Sequence, residues 1–290
     1  MKKYPVYDVQ NFQCNARHDD LYVNTFREHL LTHSFVEAPH RHNSYLLVFF
    51  THGLGSHEID FDTFEIQPGS LFVLQPGQIH NWNLSEDIDG FIVIFSEETY
   101  NLYFGNKKIE DYVFYASASV TPELVFSKSE IPSILPYFEL LNLEKNRQQI
   151  FSKDKILNLL DCIHIAIARK YGLSEAHNMH PYNIKIEKFE KFVSQYFREN
   201  KLPSFYASLL SITPKHLNRV CKEILGKTPT EVIANRVVLE AKRMLSDRQL
   251  SVNEIADKLG YDDYSYFTRL FKKQTGTTPG AFRNVKKSIN

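Results

Sequence analysis

The apolar positions of this chain change period along its length. From about residue 20 to 96, short apolar runs at 45–50, 71–74 and 91–95 are separated by turn-forming residues. Gly53, Gly55, Asp60, Asp62, Gly69, Pro76 and Gly77 supply the punctuation. Such runs predict short β-strands, and many of them at this spacing predict a sandwich or small barrel. From Ser129 the period becomes helical. Ile131, Ile134, Leu135, Phe138 and Leu141 recur on one face, and Ile156, Leu157, Leu160, Ile163, His164 and Ile167 predict a longer helix over 152–171. Residues 172–182, GLSEAHNMHPY, lose the periodicity and read as a linker. Ile184, Ile186, Phe189, Phe192, Val193 and Phe197 then open a second helical segment.

The stretch 251–279, SVNEIADKLGYDDYSYFTRLFKKQTGTTP, predicts two helices around a tight turn. Ser251 followed three residues later by Glu254 is a capping-box pattern. Ile255, Ala256 and Leu259 share a face, Gly260 offers a left-handed stop, and Asp262 or Asp263 can cap the next helix. In that second helix Phe267, Leu270, Phe271 and Gln274 fall on one side, and Ser265, Thr268, Arg269 and Lys272 on the other. An apolar inner face and a cationic outer face fit a helix-turn-helix, whose second helix enters the DNA major groove. A solvated helical hairpin shows the same pattern.

A second copy favours the first reading. Residues 202–229 repeat the pattern at an offset of about 50: Leu217 matches Phe267, Arg219 matches Arg269, Val220 matches Leu270, Lys222 matches Lys272, and Gly226 matches Gly276. Ala207 matches Ala256 one residue out of step, which predicts one more residue in the second turn. A generic hairpin gives no reason for the inner apolar face and the outer cations to recur together.

On Ile255-Ala256, Gly260-Tyr261, Tyr264, Phe267, Arg269, Phe271-Lys272 and Gly276 through Thr278-Pro279, the chain resembles the AraC/XylS family of bacterial transcription regulators. The resemblance implies an α+β multidomain fold. An N-terminal jelly-roll or cupin-like barrel with following helices would occupy 1–171 as a sensor and dimerisation domain. After a linker at 172–182, an all-α DNA-binding domain would occupy 183–290, with two helix-turn-helix units held by a connecting helix. Thr228, Pro229 and Glu231 suit that helix's start as cap, first position and third position.

Net charge is zero over 290 residues, which by itself points away from nucleic acid. The halves differ: residues 1–182 hold 14 Lys+Arg against 23 Asp+Glu, and 183–290 hold 20 against 11, so the charges are −9 and +9. The basic half carries the repeats, where phosphate binding requires it. Cys14, Cys162 and Cys221 are too few and too scattered for a disulfide framework or a zinc motif. With no signal-like start and no apolar run long enough to span a bilayer, a cytoplasmic location and no membrane partner are expected.

The predicted DNA-facing residues are Thr213, Lys215, His216, Asn218, Arg219 and Lys222 in the first copy, and Ser265, Tyr266, Thr268, Arg269, Lys272 and Lys273 in the second. Arg pairs with guanine and Asn with adenine, so Asn218, Arg219 and Arg269 are the expected base readers. Lys222, Lys272 and Lys273 suit phosphates.

In the strand-rich half, the segments from Pro39 to His42 and from Pro76 to His80 resemble the cupin sensor domain of the same regulators. In metal-binding cupins two spaced His, a Glu four residues on and a later His surround an ion. His40, His42 and His80 match, but Leu46 stands at the Glu position. Three imidazoles can hold zinc if they converge. The favoured reading is that His40 and His42 hydrogen-bond at the barrel mouth; a third is that the histidines line an effector pocket with Tyr45, His57 and Trp82. No metal, no cofactor and no catalytic residue is expected. The expected partners are double-stranded DNA, a small-molecule effector, a second copy of the chain, and RNA polymerase for activation. A metal-dependent cupin enzyme and a constitutive DNA-binding dimer are the alternatives.

Overall fold

The computed structural model describes residues 4–12, 21–33, 38–116, 120–145, 147, 149–174, 183–246 and 250–285. They form two compact units, one ending at 174 and one beginning at 183.

The N-terminal unit contains strands β1 (Val6–Tyr7), β2 (Leu21–Thr25), β3 (His40–His42), β4 (Tyr45–His52), β5 (Gly55–Ile59), β6 (Asp62–Ile66), β7 (Ser70–Leu74), β8 (Ile79–Leu84), β9 (Asp89–Phe95) and β10 (Glu123–Val125). Its helices are α1 (Phe26–Thr32), α2 (Glu97–Phe104), α3 (Val113–Ala116), α4 (Leu135–Lys145) and α5 (Ser152–Ser174). Among the described residues the strands form two five-stranded sheets, in the orders β1-β3-β8-β5-β6 and β10-β7-β4-β9-β2. Only the β1–β3 pair in them is parallel.

The apolar run of β4 follows from burial on both sides. Leu46, Val48 and Phe50 face the space between the sheets, with Phe72, Trp82 and Ile92. Tyr45, Leu47 and Phe49 face outward and are covered by Phe138 of α4 and by Leu160 and Ile163 of α5. A strand covered on both faces needs no polar alternation. The helix expected over 152–171 runs to Ser174, and Ile156, Leu160, Ile163 and Ile167 form its buried stripe against that sheet. Of the expected linker, 172–174 are therefore helical, and 175–182 lie outside the described residues.

The C-terminal unit contains α6 (Asn183–Tyr196), α7 (Pro203–Leu209), α8 (Pro214–Leu225), α9 (Pro229–Ser246), α10 (Val252–Lys258), α11 (Tyr264–Thr275) and α12 (Pro279–Val285). The pairs α7–α8 and α10–α11 are the two helix-turn-helix units, and α9 joins them. Four residues separate α7 from α8 and five separate α10 from α11, the one-residue difference that the sequence implies. Both units share one core, in which Leu217, Val220 and Cys221 of α8, Val237 and Ala241 of α9, and Phe267 and Phe271 of α11 are buried. Burial pushes the Cys221 thiol up to about 12, as expected for a core cysteine.

The caps sit where the sequence places them. Ser251 and Glu254 form a reciprocal capping box on α10. Glu231 accepts the Thr228 N–H at 2.7 Å at the head of α9. Gly226 and Gly276 end α8 and α11 at φ +65° and +79°, left-handed values that cost glycine little. Gly260 has a second reason to be glycine: a Cβ there would lie 2.0 Å from the Arg198 carbonyl oxygen.

Candidate nucleic-acid interface and sensor interior

Helices α8 and α11 have the same length, 12 residues, and start fifty positions apart. Each is capped at its N-terminus: the Thr213 hydroxyl accepts the His216 N–H at 3.2 Å, and Asp263 accepts the Tyr266 N–H at 2.9 Å. Of the two possible aspartates, Asp263 is the cap.

With the inner face fixed by Leu217, Val220 and Cys221, the opposite face of α8 presents Lys215, Arg219 and Lys222 exposed and Asn218 half-buried. On α11 the burial of Phe267 and Phe271 leaves Ser265, Tyr266, Arg269, Lys272 and Lys273 exposed, with Thr268 half-buried. Arg219 and Arg269 thus hold the same exposed register position. The Arg269 side chain is 68% exposed, with Asp263 Oδ2 3.8 Å away. Tyr266 is also exposed and stacks on Tyr261, with ring centroids 6.0 Å apart.

His216 lies between two cations. Its Nδ1 is 3.2 Å from the Arg219 guanidinium and its Nε2 is 3.4 Å from Lys185 Nζ. Desolvation and then these two charges hold the imidazole below its ordinary pKa. Lys185 is not among the residues predicted to face DNA, yet it lies on α6 beside the α8 surface, 31 positions from His216 in the chain. Lys188 and Lys191 follow it at helical spacing, and the three lysines line a cleft of about 650 Å³ with Phe192, Leu209 and Leu210. That i, i+3, i+6 spacing was the available signal.

In the N-terminal unit, pairing aligns the histidines. His40 on β3 is opposite His80 on β8, and His57 on β5 is opposite Trp82, two residues along β8. Period-two alternation then puts His40, His42, His57, His80 and Trp82 on one face. His40, His57 and His80 have no exposed surface, and His42 and Trp82 are buried. His40 Nε2 lies 3.1 Å from His42 Nε2, and His57 Nε2 lies 3.0 Å from His80 Nδ1. Burial holds these imidazoles neutral: it lowers His40 to about 4 and moves His42, His57 and His80 well below their ordinary value. Phe12 and Phe26 fill the space beside them: Phe12 packs 5.5 Å from His42 and Phe26 packs 5.3 Å from Trp82, between ring centroids.

Tyr45 does not join this group. It lies on the other face of β4, where its ring is 4.7 Å from Tyr115 and 5.5 Å from Phe95. Both faces of β4 are apolar and buried, so no alternation in the sequence could show which way Tyr45 points. Sequence reasoning also missed His29 and His33. They stand one turn apart on α1 and its C-cap, and both rings pack on Phe12. Their i, i+4 spacing was the only trace.

The comparisons with known proteins match this architecture. Residues 21–160 match the AraC-like ligand binding domain family, and residues 206–284 match a helix-turn-helix domain family. The chain belongs to the AraC family. It is a DNA-binding transcriptional regulator of the AraC type with a ligand-binding domain ahead of the DNA-binding one. It is 21% identical over 255 residues to the arabinose operon regulatory protein of Escherichia coli, covering 86% of this chain and 83% of that protein. It is 22% identical over 264 residues to the uncharacterized HTH-type transcriptional regulator YfiF of Bacillus subtilis, covering 89% and 82%. Among solved structures, ToxT from Vibrio cholerae aligns with a TM-score of 0.43 at 16% identity, covering 83% of this chain and 90% of that one. Among the described residues, no helix of this AraC-family chain is long and apolar enough to cross a membrane.

Proposed function

We propose that this regulator reads two successive major-groove segments of one DNA site, one with α8 and one with α11. The observation that carries the reading is the register of Arg219 and Arg269. Each arginine stands exposed at the same position of a 12-residue helix whose opposite face is locked into one core. Arg219, Asn218 and Arg269 read base edges, with Lys215, Ser265 and Tyr266 beside them. Lys222, Lys272 and Lys273 meet phosphates, and Lys185 adds a charge next to the first helix. Two such helices fit major-groove segments about one turn, or 34 Å, apart. Selection of binding sites from a random DNA pool tests this. A bipartite motif with half-sites about ten base pairs apart supports it, and a motif of a single half-site refutes it.

The N-terminal unit acts as the sensor, and the protein works in the cytoplasm as a homodimer that recruits RNA polymerase. His40, His42, His57, His80 and Trp82 give the otherwise apolar interior its polar groups, which suits an effector with a carboxylate or hydroxyl. Leu140 and Leu143 of α4 are exposed, an apolar surface for a second copy. An effector acts by binding one dimer state better than the other. Sedimentation with and without DNA tests the dimer. Thermal shift of the full chain against sugars, organic acids and fatty acids tests the sensor: a saturable rise in Tm that also changes DNA affinity supports it.

A further inference from the structure

Helix α5 carries apolar residues on the side where an amphipathic helix is ordinarily polar. One stripe of it packs on the sheet, yet Cys162, Ile165 and Ala166, on the side away from that stripe, are half-buried. With Arg169 they recur at i, i+3, i+4 and i+7, one face of the helix. They line a cleft of about 410 Å³ together with Phe126, Ser133 and Tyr137.

The charges around this cleft do not cancel. Lys170 donates to both carboxylate oxygens of Glu130, at 2.7 and 2.8 Å, and lies over the Phe126 ring, 5.6 Å from its centroid. Glu130 also accepts the Ser127 N–H at 2.8 Å. The Glu130 carboxylate and the Lys170 ammonium thus neutralise each other at the rim. Among the described residues, the Arg169 guanidinium has no ion-pair partner and the Tyr137 hydroxyl has no hydrogen-bond partner. The cleft keeps one net positive charge and one unused hydroxyl beside apolar walls.

We infer that this cleft binds a small aromatic monocarboxylate, with the carboxylate on Arg169 and the ring against Tyr137, Ile165 and Ala166. A guanidinium presents paired N–H donors that match the two oxygens of a carboxylate. The Tyr137 hydroxyl is a further donor for the same group. A single net charge favours a monoanion over a phosphate dianion, and repels a cation. Ligand sites measure about 300–1,000 Å³, so a cleft at the small end of that range suits a single ring rather than a long acyl chain. Aromatic side chains in the wall favour a flat, apolar ligand body. Phe126 and Tyr137 belong to the layer that α4 and α5 form outside the sheet, whereas the histidines line the space between the sheets. This is therefore a second ligand site, separate from the histidine-lined interior and independent of the DNA reading.

Isothermal titration of the full-length chain with benzoate, phenylacetate and neutral benzyl alcohol tests the site. Saturable binding of at least one of the two carboxylates, one per chain, is expected, with benzyl alcohol about tenfold weaker or more. Arg169→Met, at an exposed residue, should weaken carboxylate binding about tenfold or more and leave benzyl alcohol unchanged. Lys153→Met removes another exposed cation of α5 and should change nothing. Alkylation of Cys162, followed by mass spectrometry of its tryptic peptide, reports on the cleft itself. The bound carboxylate should slow it, with the same half-saturation as the titration. Failure of both carboxylates to bind overturns the proposal. So does equal binding by wild type and Arg169→Met, which would put the ligand elsewhere, the histidine-lined interior included. Alkylation of Cys162 that falls with protein concentration but not with ligand would assign the cleft to a second copy of the chain, and would overturn it too.

Discussion

The carboxylate of Asp263 lies at the head of α11 and also within 3.8 Å of the Arg269 guanidinium, six residues along the same helix. One oxygen accepts the Tyr266 N–H and caps the helix; the other holds the arginine in reach of the helix N-terminus. Capping and the placement of the Arg269 side chain thus meet at one residue.

Asp263→Ala separates the two effects from the core. Loss of the cap should cost about 1 kcal/mol of unfolding free energy, read by denaturant titration. Asp263→Asn keeps a capping oxygen and removes the charge beside Arg269. It should retain most of the stability and weaken the salt dependence of DNA binding less than Arg269→Ala does. Equal stability loss by both variants would show that the charge, not the cap, matters.

Arg219→Ala and Arg269→Ala should each cost about 1–3 kcal/mol of DNA binding and relax base preference in one half of the site. Fluorescence anisotropy on a panel of half-site mutants reads this directly. Lys272→Ala should weaken all sequences alike and reduce the salt slope by about one unit. A uniform loss from Arg219→Ala across the panel would move that arginine from base reading to the phosphates.

Gly260→Ala should destabilise the C-terminal unit by more than about 1 kcal/mol, because φ there is +73° and the new methyl would meet the Arg198 carbonyl oxygen at 2.0 Å. Gly276→Ala has a positive φ but nothing within 4 Å of the added Cβ, so its cost should be the smaller. The difference between the two measures the close approach of backbones apart from the conformational strain.

The buried His164 makes the stability of the N-terminal unit pH-dependent. Burial, with Lys107 adding to it and Asp161 opposing, lowers the imidazole to about 3. The unfolded chain takes up a proton at this residue below about pH 6.5, whereas the folded chain does not until about pH 3. Between those values the unfolded state binds more protons, so stability is complete above about pH 6.5 and is lost as pH falls. The slope from this one group is about 1.4 kcal/mol per pH unit well inside the window. His164→Gln should flatten the fall in stability between about pH 6 and 4.5 relative to wild type. Parallel curves would exclude His164 as the source.

Local chemistry was legible in the chain itself. Capping residues act on backbone groups three positions away, and glycines end helices where they stand, so Ser251, Glu254, Thr228, Gly226 and Gly276 could be read without knowing the fold, and the cap of α11 was narrowed to Asp262 or Asp263. The repeat was legible because Phe267, Arg269 and Phe271 have counterparts fifty positions earlier, and 3.6-residue periodicity fixes which of them face inward. Tertiary structure alone decided the rest. Tyr45 turns away from the histidines because both faces of β4 are covered, which removes the alternation that would have revealed its side. Lys185 reaches His216 because α6 packs beside α8, and His80 meets His40 and His57 because strand order places β8 between β3 and β5. Contacts between residues far apart in sequence leave no periodic trace, so only the assembled sheets and helix pairs could decide them.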